Sequence, residues 1–367
     1  MSGRETVIVG LSGGVDSAVA ALALVQQGYT VEALHMTNWD ADDGYCTAAE
    51  DLRTARLVAA AIGVPLHQAN FTAAYRREVF DSFLREYAAG RTPNPDVLCN
   101  RTIKFGAFLE HARRLGADRI ATGHYARGGA RMAGSLQLAR DRIKDQTYFL
   151  HAVEPASLAS TLFPLGDLTK TEVRAIANRA GLPNFDRRDS TGICFIGERP
   201  FREFLSRYLS GSKGPILSVE GEMLGEHDGL PWYTIGQRSG VGIGGRRGGS
   251  AEPWYVAAKD VSRNALIVAQ GRRHPALWST WLRTGPPRWL RSPLPGELLT
   301  ARIRHRHEPA RCVLESTDQE SLALRFELPQ WAIAPGQYAV LYAAEECLGG
   351  AVIESSDATA ETMPAPG

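Results

Sequence analysis

The amino-acid sequence predicts an α/β protein in which an N-terminal doubly wound parallel sheet precedes a small β-rich central domain and a C-terminal β-barrel. Up to residue 125, short apolar runs alternate with segments of helical periodicity, as in a parallel sheet with crossover helices. Beyond residue 210 the helical period gives way to short alternating runs, which indicate antiparallel strands. The predicted domains are residues 1–210, 211–280 and 281–355, followed by a disordered tail at 356–367.

The predicted elements of the N-terminal domain alternate regularly along the chain. Gly28 and Gly63 stand where helix C-caps are expected. Because ligands bind beyond the carboxyl ends of parallel strands, we expect a site near residues 12–17, Met36 and Gly123. Strands are predicted over residues 6–11, 30–36, 65–71 and 118–122, and helices over residues 18–25, 47–62, 72–89 and 104–115.

The C-terminal part of the chain combines β periodicity with positive charge. Nine arginines, three tryptophans and only two glutamates lie between residues 272 and 311, which is typical of an RNA-binding surface. Arg302, Arg304 and Arg306 would share one strand face as a basic stripe. The alternative is a solvated arginine-rich surface. Strands are predicted within residues 212–235, 254–268, 297–307, 310–315, 322–328 and 338–343.

Composition restricts the class of protein. The chain has 367 residues, of which 44% are hydrophobic and 22% are charged, and its net charge is +1. No apolar run approaches the roughly 20 residues of a membrane span, so no membrane association is expected. A strand begins almost at the N-terminus, which leaves no room for a signal peptide. Five cysteines without a CxxC pair argue against a disulfide framework, and we expect a cytoplasmic location.

The segment Ser12–Ser17 is a candidate phosphate-binding loop between the first predicted strand and helix. Gly13 and Gly14 allow close approach of an anion, and the amides of Asp16, Ser17 and Ala18 would point out of the helix N-terminus. The loop lacks the lysine of GxxxxGK[ST] and resembles the PP-loop of the N-type ATP pyrophosphatases, whose sheet is Rossmann-like. Asp16 could help to place magnesium. The structural alternative is a plain glycine–serine turn.

Two cysteines are candidates for chemistry. Cys99 follows a proline-stiffened segment, and a position near a helix N-terminus beside Arg101 and Lys104 would favour ionisation of its thiol. Asp96 could act as a general acid or base. Cys194 lies in a glycine-bracketed segment before another predicted helix. For each cysteine the alternative is a small buried hydrophobic residue, which is our interpretation of the remaining three, Cys46, Cys312 and Cys347.

Eight segments, in order across nearly the whole chain, resemble the bacterial tRNA-specific 2-thiouridylases. This resemblance implies ATP-dependent replacement of the C2 oxygen of the wobble uridine by sulfur in tRNAs for lysine, glutamine and glutamate. It implies a persulfide on Cys194, supplied by a sulfur-relay donor protein, and a resolving role for Cys99. The segments are SGGVDS (12–17), GRTPNPDVLCN (90–100), ATGHYAR (121–127), KDQTYFL (144–150), DSTGICFIGERPFREFL (189–205), IGQRSGVGIGG (235–245), AEPWYV (251–256) and CLGGAVI (347–353).

The same resemblance assigns binding residues and implies a flipped target base. We expect the enzyme to be a monomer. His305 stands where the family commonly has an aromatic hydroxyl residue. The ATP-binding residues are Gly10, Leu11, Ser12, Gly13, Gly14, Val15, Asp16, Ser17, Met36 and Gly123. The target-base residues are Asn94, Pro95 and Asp96. The tRNA-contacting residues are His124, Lys144, Asp145, Gln146, Arg304, His305 and Gln337.

Three other interpretations fit part of the sequence. A PP-loop synthetase that adenylates a small-molecule acceptor would need neither paired cysteines nor an arginine-rich barrel. A non-catalytic RNA-binding protein would use ATP only as a conformational ligand. A third variant keeps thiolation but assigns Cys99, Cys194 and Asp96 to an iron–sulfur cluster that carries the sulfur.

Overall fold

The computed structural model describes residues 4–39, 48–188, 201–243 and 252–358. The N-terminal domain is built on a parallel five-stranded sheet of order β3-β2-β1-β4-β7. Its first elements are β1 (Thr6–Gly10), α1 (Val15–Gln26), β2 (Thr30–Thr37), α2 (Ala48–Ile62), β3 (Leu66–Asn70), α3 (Thr72–Tyr75), a π-helical turn (Arg76–Phe80) and α4 (Asp81–Ala88).

The second half of this domain continues the alternation with shorter elements. The helix predicted over residues 104–115 begins earlier, since α5 (Pro95–Leu98), a π-helical stretch (Cys99–Ala107) and α6 (Phe108–Arg114) follow without a break. The other elements are β4 (Arg119–Ala121), β5 (Arg127–Gly128), a 3₁₀ turn (Gly129–Met132), β6 (Leu136–Gln137), α7 (Thr147–Leu150), α8 (Pro155–Ala159), β7 (Thr161–Leu162), α9 (Lys170–Arg179) and α10 (Phe201–Leu205).

The parallel sheet is buried on both faces, which explains its uninterrupted apolar strands. Val7, Ile8 and Val9 of β1 are completely buried, and they belong to core clusters on opposite sides of the sheet. The predicted doubly wound sheet is therefore confirmed. Sequence periodicity missed β7, a two-residue edge strand, because so short a segment has no measurable period.

The central domain carries a four-stranded sheet of order β10-β11-β8-β9. The predicted β-rich domain is confirmed, whereas most of the glycine-rich loop between its strands, residues 244–251, lies outside the described residues. Its elements are β8 (Gly214–Ser218), β9 (Met223–His227), a 3₁₀ turn (Leu230–Trp232), β10 (Trp254–Asp260), β11 (Ala265–Gln270) and a second 3₁₀ turn (Pro275–Leu277).

The C-terminal domain is a six-stranded antiparallel barrel of order β12-β16-β15-β14-β17-β18, closed by pairing of β12 with β18. The hairpin β5–β6 of the N-terminal domain extends this sheet at β18, where Glu346 pairs with Gln137. The strands are β12 (Trp278–Thr284), β13 (Arg288–Trp289), β14 (Leu299–Arg302), β15 (Ala310–Thr317), β16 (Leu322–Trp331), β17 (Tyr338–Ala343) and β18 (Glu346–Ser356).

Two details of the barrel differ from the sequence prediction. The strand predicted over residues 297–307 ends at Arg302, so Arg302, Arg304 and Arg306 do not form a basic stripe on one strand. The start of the predicted tail is ordered, because Asp357 Oδ2 accepts the Thr280 amide at 3.0 Å. Residues 359–367 lie outside the described residues. Within the described part of the chain, no helix is both long and apolar enough to cross a bilayer.

Candidate active site

The glycine–serine loop forms a cradle at the end of β1. Gly13 adopts a φ of 87°, and Gly14 is the N-cap of α1. The Ser12 amide donates to Ser17 Oγ at 3.2 Å, and Ser17 Oγ donates to the Gly14 carbonyl at 3.0 Å. No side chain of the described residues caps α1, so its first amides point towards the loop opening. These donors fit a phosphate group.

The amide donors differ slightly from those expected. The Ala18 amide donates to the Gly14 carbonyl at 3.3 Å, so it belongs to the first helical turn. Val15, Asp16 and Ser17 precede it as the first three residues of α1. Two predicted ATP residues, Leu11 and Val15, have buried side chains that pack in the core.

Asp16 is held by two groups from distant parts of the chain. Tyr125 Oη donates to Asp16 Oδ1 at 2.8 Å, and Lys170 Nζ lies 2.8 and 2.9 Å from the two carboxylate oxygens. In the described ranges no group of three or more His, Cys, Asp and Glu side chains gathers as a metal site. One carboxylate together with nucleotide phosphates is a common magnesium environment, and the magnesium role of Asp16 stays a prediction.

The carbonyl of Gly13 is anchored by the segment that follows α9. Asn184 Nδ2 donates to this oxygen at 2.8 Å and Arg187 Nη1 donates to it at 3.3 Å. Arg187 also pairs with Asp51 of α2. Sequence reasoning missed Lys170, Asn184 and Arg187, because no local motif marks them.

Gly123 lies against the loop, and Met36 lies beside Gly10 at the end of β1, where the sequence predicts strand ends. A Cβ on Gly123 would lie 2.7 Å from the Ser17 nitrogen and 2.8 Å from the Asp16 carbonyl carbon, which only glycine avoids. A Cβ on Gly10 would lie 3.6 Å from Met36 Cε and from the Phe108 ring. The sheet therefore brings together the residues expected to bind ATP, and their role in binding stays a prediction.

The residues Asn94, Pro95 and Asp96, which are predicted to contact the target base and are called the target-base segment below, lie at the start of a long helix. Asn94 is the N-cap of α5, Pro95 is its first residue, and Asp96 lies in its first turn. These are standard signals for a helix start, and they could have revealed the early beginning. Three residues after Asp96, Cys99 begins the π-helical stretch, a distortion common at functional sites. The spacing places Asp96 and Cys99 on the same side of the helix.

The charge of one lysine acts on two buried titratable groups of this region. Burial raises the pKa of Asp96, and the nearby Lys104 charge opposes that increase. Burial and the same Lys104 charge lower the pKa of His124 well below its usual value. His124 Nδ1 lies 2.9 Å from Thr122 Oγ1. His124 is therefore a neutral imidazole, and Lys104 favours the carboxylate form of Asp96.

Cys99 is only 1% exposed, as the alternative of a small buried residue anticipates, and its catalytic role stays a prediction. It packs in an aromatic cluster formed by side chains from several helices. Cys194 and Cys46 lie outside the described residues. Burial raises the pKa of Cys312 to about 12 and also raises the pKa of Cys347, which confirms both as buried structural residues. Buried members of the aromatic cluster include Trp39, Tyr75, Phe80, Phe83, Tyr87, Ile103 and Phe204.

Most residues expected to contact tRNA gather where the three domains meet. Asp145 has a buried carboxylate that accepts from Arg302 Nη1 at 2.8 Å, so its side chain points into the protein in this structure. Arg304 Nη2 donates to the carbonyls of Ile235 at 2.8 Å and Ala332 at 2.7 Å, which joins the central domain to the barrel.

The other members of this group also make internal contacts. His305 Nε2 lies 3.1 Å from the Asp145 carbonyl, and its ring centroid lies 4.3 Å from that of Phe149. Gln146 Oε1 accepts the Tyr125 amide at 3.0 Å. Lys144 is partly buried beside them. The RNA contacts of these residues stay predictions, and in this structure Asp145, Arg304 and His305 also make bonds between domains.

Comparison with known families and relatives covers all three domains. Family models match a tRNA methyl transferase HUP domain over residues 5–198, a PRC-barrel domain over 202–270 and an aminomethyltransferase β-barrel domain over 279–353. An NMN synthetase structure from Francisella tularensis aligns with a TM-score of 0.34 at 16% identity, over 55% of this chain and 73% of that one. A resemblance of this strength supports no functional inference.

Two full-length relatives are far more similar. The tRNA-specific 2-thiouridylase MnmA of Leptothrix cholodnii is 53% identical, and the match covers 96% of this chain and 97% of the relative. The enzyme of the same name from Chromohalobacter salexigens is 54% identical over 95% of this chain and 92% of the relative. These similarities span the phosphate loop, the Asp96–Cys99 helix and the barrel together. The chain therefore belongs to the tRNA-specific 2-thiouridylase family.

Proposed function

We propose that this protein is an ATP-dependent tRNA sulfurtransferase that converts the wobble uridine to 2-thiouridine in tRNAs for lysine, glutamine and glutamate. One observation carries the proposal. Gly123 packs against the Ser17 amide in the phosphate loop, and the ring of the adjacent His124 lies 5.6 Å, centroid to centroid, from that of Phe105 in the π-helical stretch that Cys99 begins. This contact supports a shared site for the phosphate loop and the Asp96–Cys99 helix.

The chemistry of the substrate explains why both parts are needed. The C2 oxygen of uracil is a poor leaving group, so it attacks the α-phosphorus of ATP and pyrophosphate departs. The loop amides and serine hydroxyls bind the phosphates, and Asp16 would hold a magnesium ion that neutralises their charge. A sulfur nucleophile then adds to C2, and the C2–O bond breaks as AMP leaves with the oxygen. The products are 2-thiouridine, AMP and pyrophosphate.

The sulfur step assigns distinct roles to the two cysteines. In one route the terminal sulfur of a Cys194 persulfide attacks C2 and AMP leaves, which gives a mixed disulfide between the sulfur on C2 and Cys194. The Cys99 thiolate then attacks Cys194 Sγ, forms the Cys99–Cys194 disulfide and leaves the sulfur on C2 as 2-thiouridine. In the other route the Cys99 thiolate attacks Cys194 Sγ, forms the Cys99–Cys194 disulfide and releases sulfide, which attacks C2. A dithiol reductant regenerates both thiols in either route. A separate donor protein supplies the persulfide.

The two kinds of name among the similar proteins imply different chemistry. The family models carry methyl transferase descriptions, whereas the full-length relatives are named 2-thiouridylases. We follow the full-length relatives, because exchange of oxygen for sulfur requires an activated oxygen and the loop is suited to that activation. A synthetase with a small-molecule acceptor is not favoured, because the match extends through the arginine-rich barrel.

The proposed setting follows from the same chemistry. A persulfide and two reactive thiols are compatible with a reducing cytoplasm, and the described cysteines are free thiols. The monomer would bind the anticodon stem-loop and flip the target base, because a stacked nucleotide does not expose its C2 carbonyl.

Nucleoside mass spectrometry tests the proposal. Unmodified lysine-tRNA transcript is incubated with the protein, magnesium-ATP and a persulfide donor, and Cys194→Ala is compared with Cys312→Ala, a buried cysteine distant from the phosphate loop in sequence. We expect 2-thiouridine at the wobble position with wild type and Cys312→Ala only, together with one AMP per thiouridine.

Two other outcomes would overturn parts of the proposal. Pyrophosphate release without thiouridine, dependent on another acceptor, would support the small-molecule synthetase. Stoichiometric iron in anaerobically purified protein, lost in Cys99→Ala and Cys194→Ala together with activity, would replace the persulfide route by the cluster route. Glutamine and glutamate transcripts tested in parallel define the tRNA set.

A further inference from the structure

We propose that the barrel turn Pro335–Gln337 positions the target-base segment, and that Gln337 is a positioning residue for the reaction. The inference rests on the proposed function for its meaning, since it concerns how Asn94–Asp96 is held when a uridine must be aligned. It assigns the C-terminal barrel a part in the chemistry beyond binding RNA.

The contact itself is made on the backbone of Thr92. The Thr92 amide donates to the Pro335 carbonyl at 2.9 Å, and Gln337 Nε2 donates to the Thr92 carbonyl at 2.8 Å. Both backbone polar groups of this loop residue are therefore bonded to the barrel. Between the two bonds, a Cβ on Gly336 would lie 2.8 to 2.9 Å from the Thr92 backbone, and Gly336 has a φ of 92°. Only glycine allows this approach.

The turn is firmly fixed on the side of the barrel. The Gly336 amide donates to the Ile353 carbonyl at 2.9 Å, and the Ile353 amide donates to the Gln337 carbonyl at 2.7 Å. Ile353 lies in β18, the strand that closes the barrel with β12. A displacement of Thr92 relative to the turn therefore requires either rupture of these bonds or movement of the barrel.

Because the loop is short and restricted, the position of Thr92 constrains the position of the target-base segment. On its upstream side, Arg91 forms two bonds of 2.6 Å with the Glu86 carboxylate of α4. On its downstream side, Pro93 and Pro95 flank Asn94 and restrict the backbone between Thr92 and the start of α5. With one end anchored and the rest stiff, the bonds to Thr92 determine where Asn94 and Asp96 lie.

This geometry also links RNA binding to the base site. A glutamine amide has two N–H donors and one acceptor oxygen, and a single donor is used on Thr92. An RNA contact made by the same side chain would therefore act directly on the loop that receives the uridine. Binding of the anticodon stem at Gln337 would therefore change the position of the target-base segment.

The test replaces the donor without changing side-chain length. Gln337→Met removes the bond to Thr92, and Gln330→Met is the matched control, because Gln330 Nε2 bonds at 2.7 Å to Leu328 of its own strand. Amide hydrogen exchange is followed on peptides covering residues 90–99. Saturating single-turnover thiolation and the tRNA dissociation constant are measured in the same preparations.

We expect exchange of the Thr92 amide to be about fivefold faster in Gln337→Met, because loss of the bond to the Thr92 carbonyl loosens the loop and the amide then separates from the Pro335 carbonyl more often. The saturated rate should fall about tenfold, whereas the dissociation constant should change less than about threefold, because the substitution affects alignment. Gln330→Met should change none of these quantities. If Gln337→Met does not fold, Gln337→Glu replaces it, since a carboxylate of the same shape cannot donate.

Two results would overturn the inference. Unchanged exchange and unchanged saturated rate in a folded variant would show that the bond does not position the loop. A weaker tRNA affinity with a normal saturated rate would make Gln337 an RNA contact only. Failure of the proposed function is a separate result. In that case the wild type would not thiolate tRNA, and the exchange measurement would still test the contact between Gln337 and Thr92.

Discussion

The ammonium group of Lys170 lies within 2.9 Å of both carboxylate oxygens of Asp16, although 154 positions separate the two residues. Lys170 is the first residue of α9, and Asp16 lies in the first turn of α1, so two helix N-termini meet at the phosphate loop. The pair fixes the carboxylate that we assign to magnesium and places a positive charge where phosphates would bind.

The ion pair predicts a defect in nucleotide binding when the lysine is removed. In Lys170→Met the Asp16 charge is no longer balanced, and it repels an incoming polyphosphate. We expect the dissociation constant for magnesium-ATP to rise about tenfold, or ~1.4 kcal/mol, in titration calorimetry. Lys213→Met, at an exposed position of the central domain, is the control and should bind normally. Unchanged affinity in Lys170→Met would contradict this role.

The contact between Gly123 and α1 predicts that a single methyl group disrupts the cradle. Gly123→Ala places a Cβ 2.7 Å from the Ser17 nitrogen, so the loop must shift and its amides lose their alignment. ATP binding should fall at least about tenfold, with an unchanged circular dichroism spectrum. Gly225→Ala is the matched control, because no atom lies within 4 Å of the added methyl group. Normal ATP binding by a folded Gly123→Ala protein would refute the close approach.

The charge of Lys104 predicts a change in the pH dependence of the reaction. Burial already raises the pKa of Asp96, and Lys104 opposes this effect, so Lys104→Met should raise the pKa further. If the carboxylate is the active form, the rate increases as pH rises through this pKa, and the acid limb moves to higher pH. Single-turnover rates between about pH 5 and 8 measure the limb, and Lys104→Arg should leave it in place. A limb that persists in Asp96→Asn would assign it to another group.

The buried ion pair between Arg302 and Asp145 predicts a large loss of stability. Its side chains are 9% and 0% exposed, so Arg302→Met leaves an unpaired carboxylate in the interior. We expect the free energy of unfolding to fall by about 3–5 kcal/mol in urea titrations. Arg325→Met removes an exposed pair with Glu315 and should cost at most about 1 kcal/mol. Equal effects of the two substitutions would show that burial does not govern the pair.

The helix that carries Asp96 and Cys99 was only partly predicted from local sequence patterns. Its apolar periodicity is clear only from Lys104 onward, so the predicted start came nine residues late, although Asn94, Pro95 and Asp96 carry the usual start signals. The sequence also left open whether Cys99 is a reactive or a buried residue, and the structure buries it. Its burial depends on aromatic side chains from other helices, which no neighbouring residue in the sequence reveals.

The sequence by itself determined the order of strands and helices, the glycine–serine loop and the change from parallel to antiparallel structure. These features depend on periodicity and turn chemistry over short segments, where each residue acts on its close neighbours. Tertiary structure alone decided that Lys170 holds Asp16, that Arg302 holds Asp145 and that Gln337 holds Thr92. Partners this far apart in the chain meet only through tertiary packing, within a domain or between domains, which leaves no local pattern in the sequence.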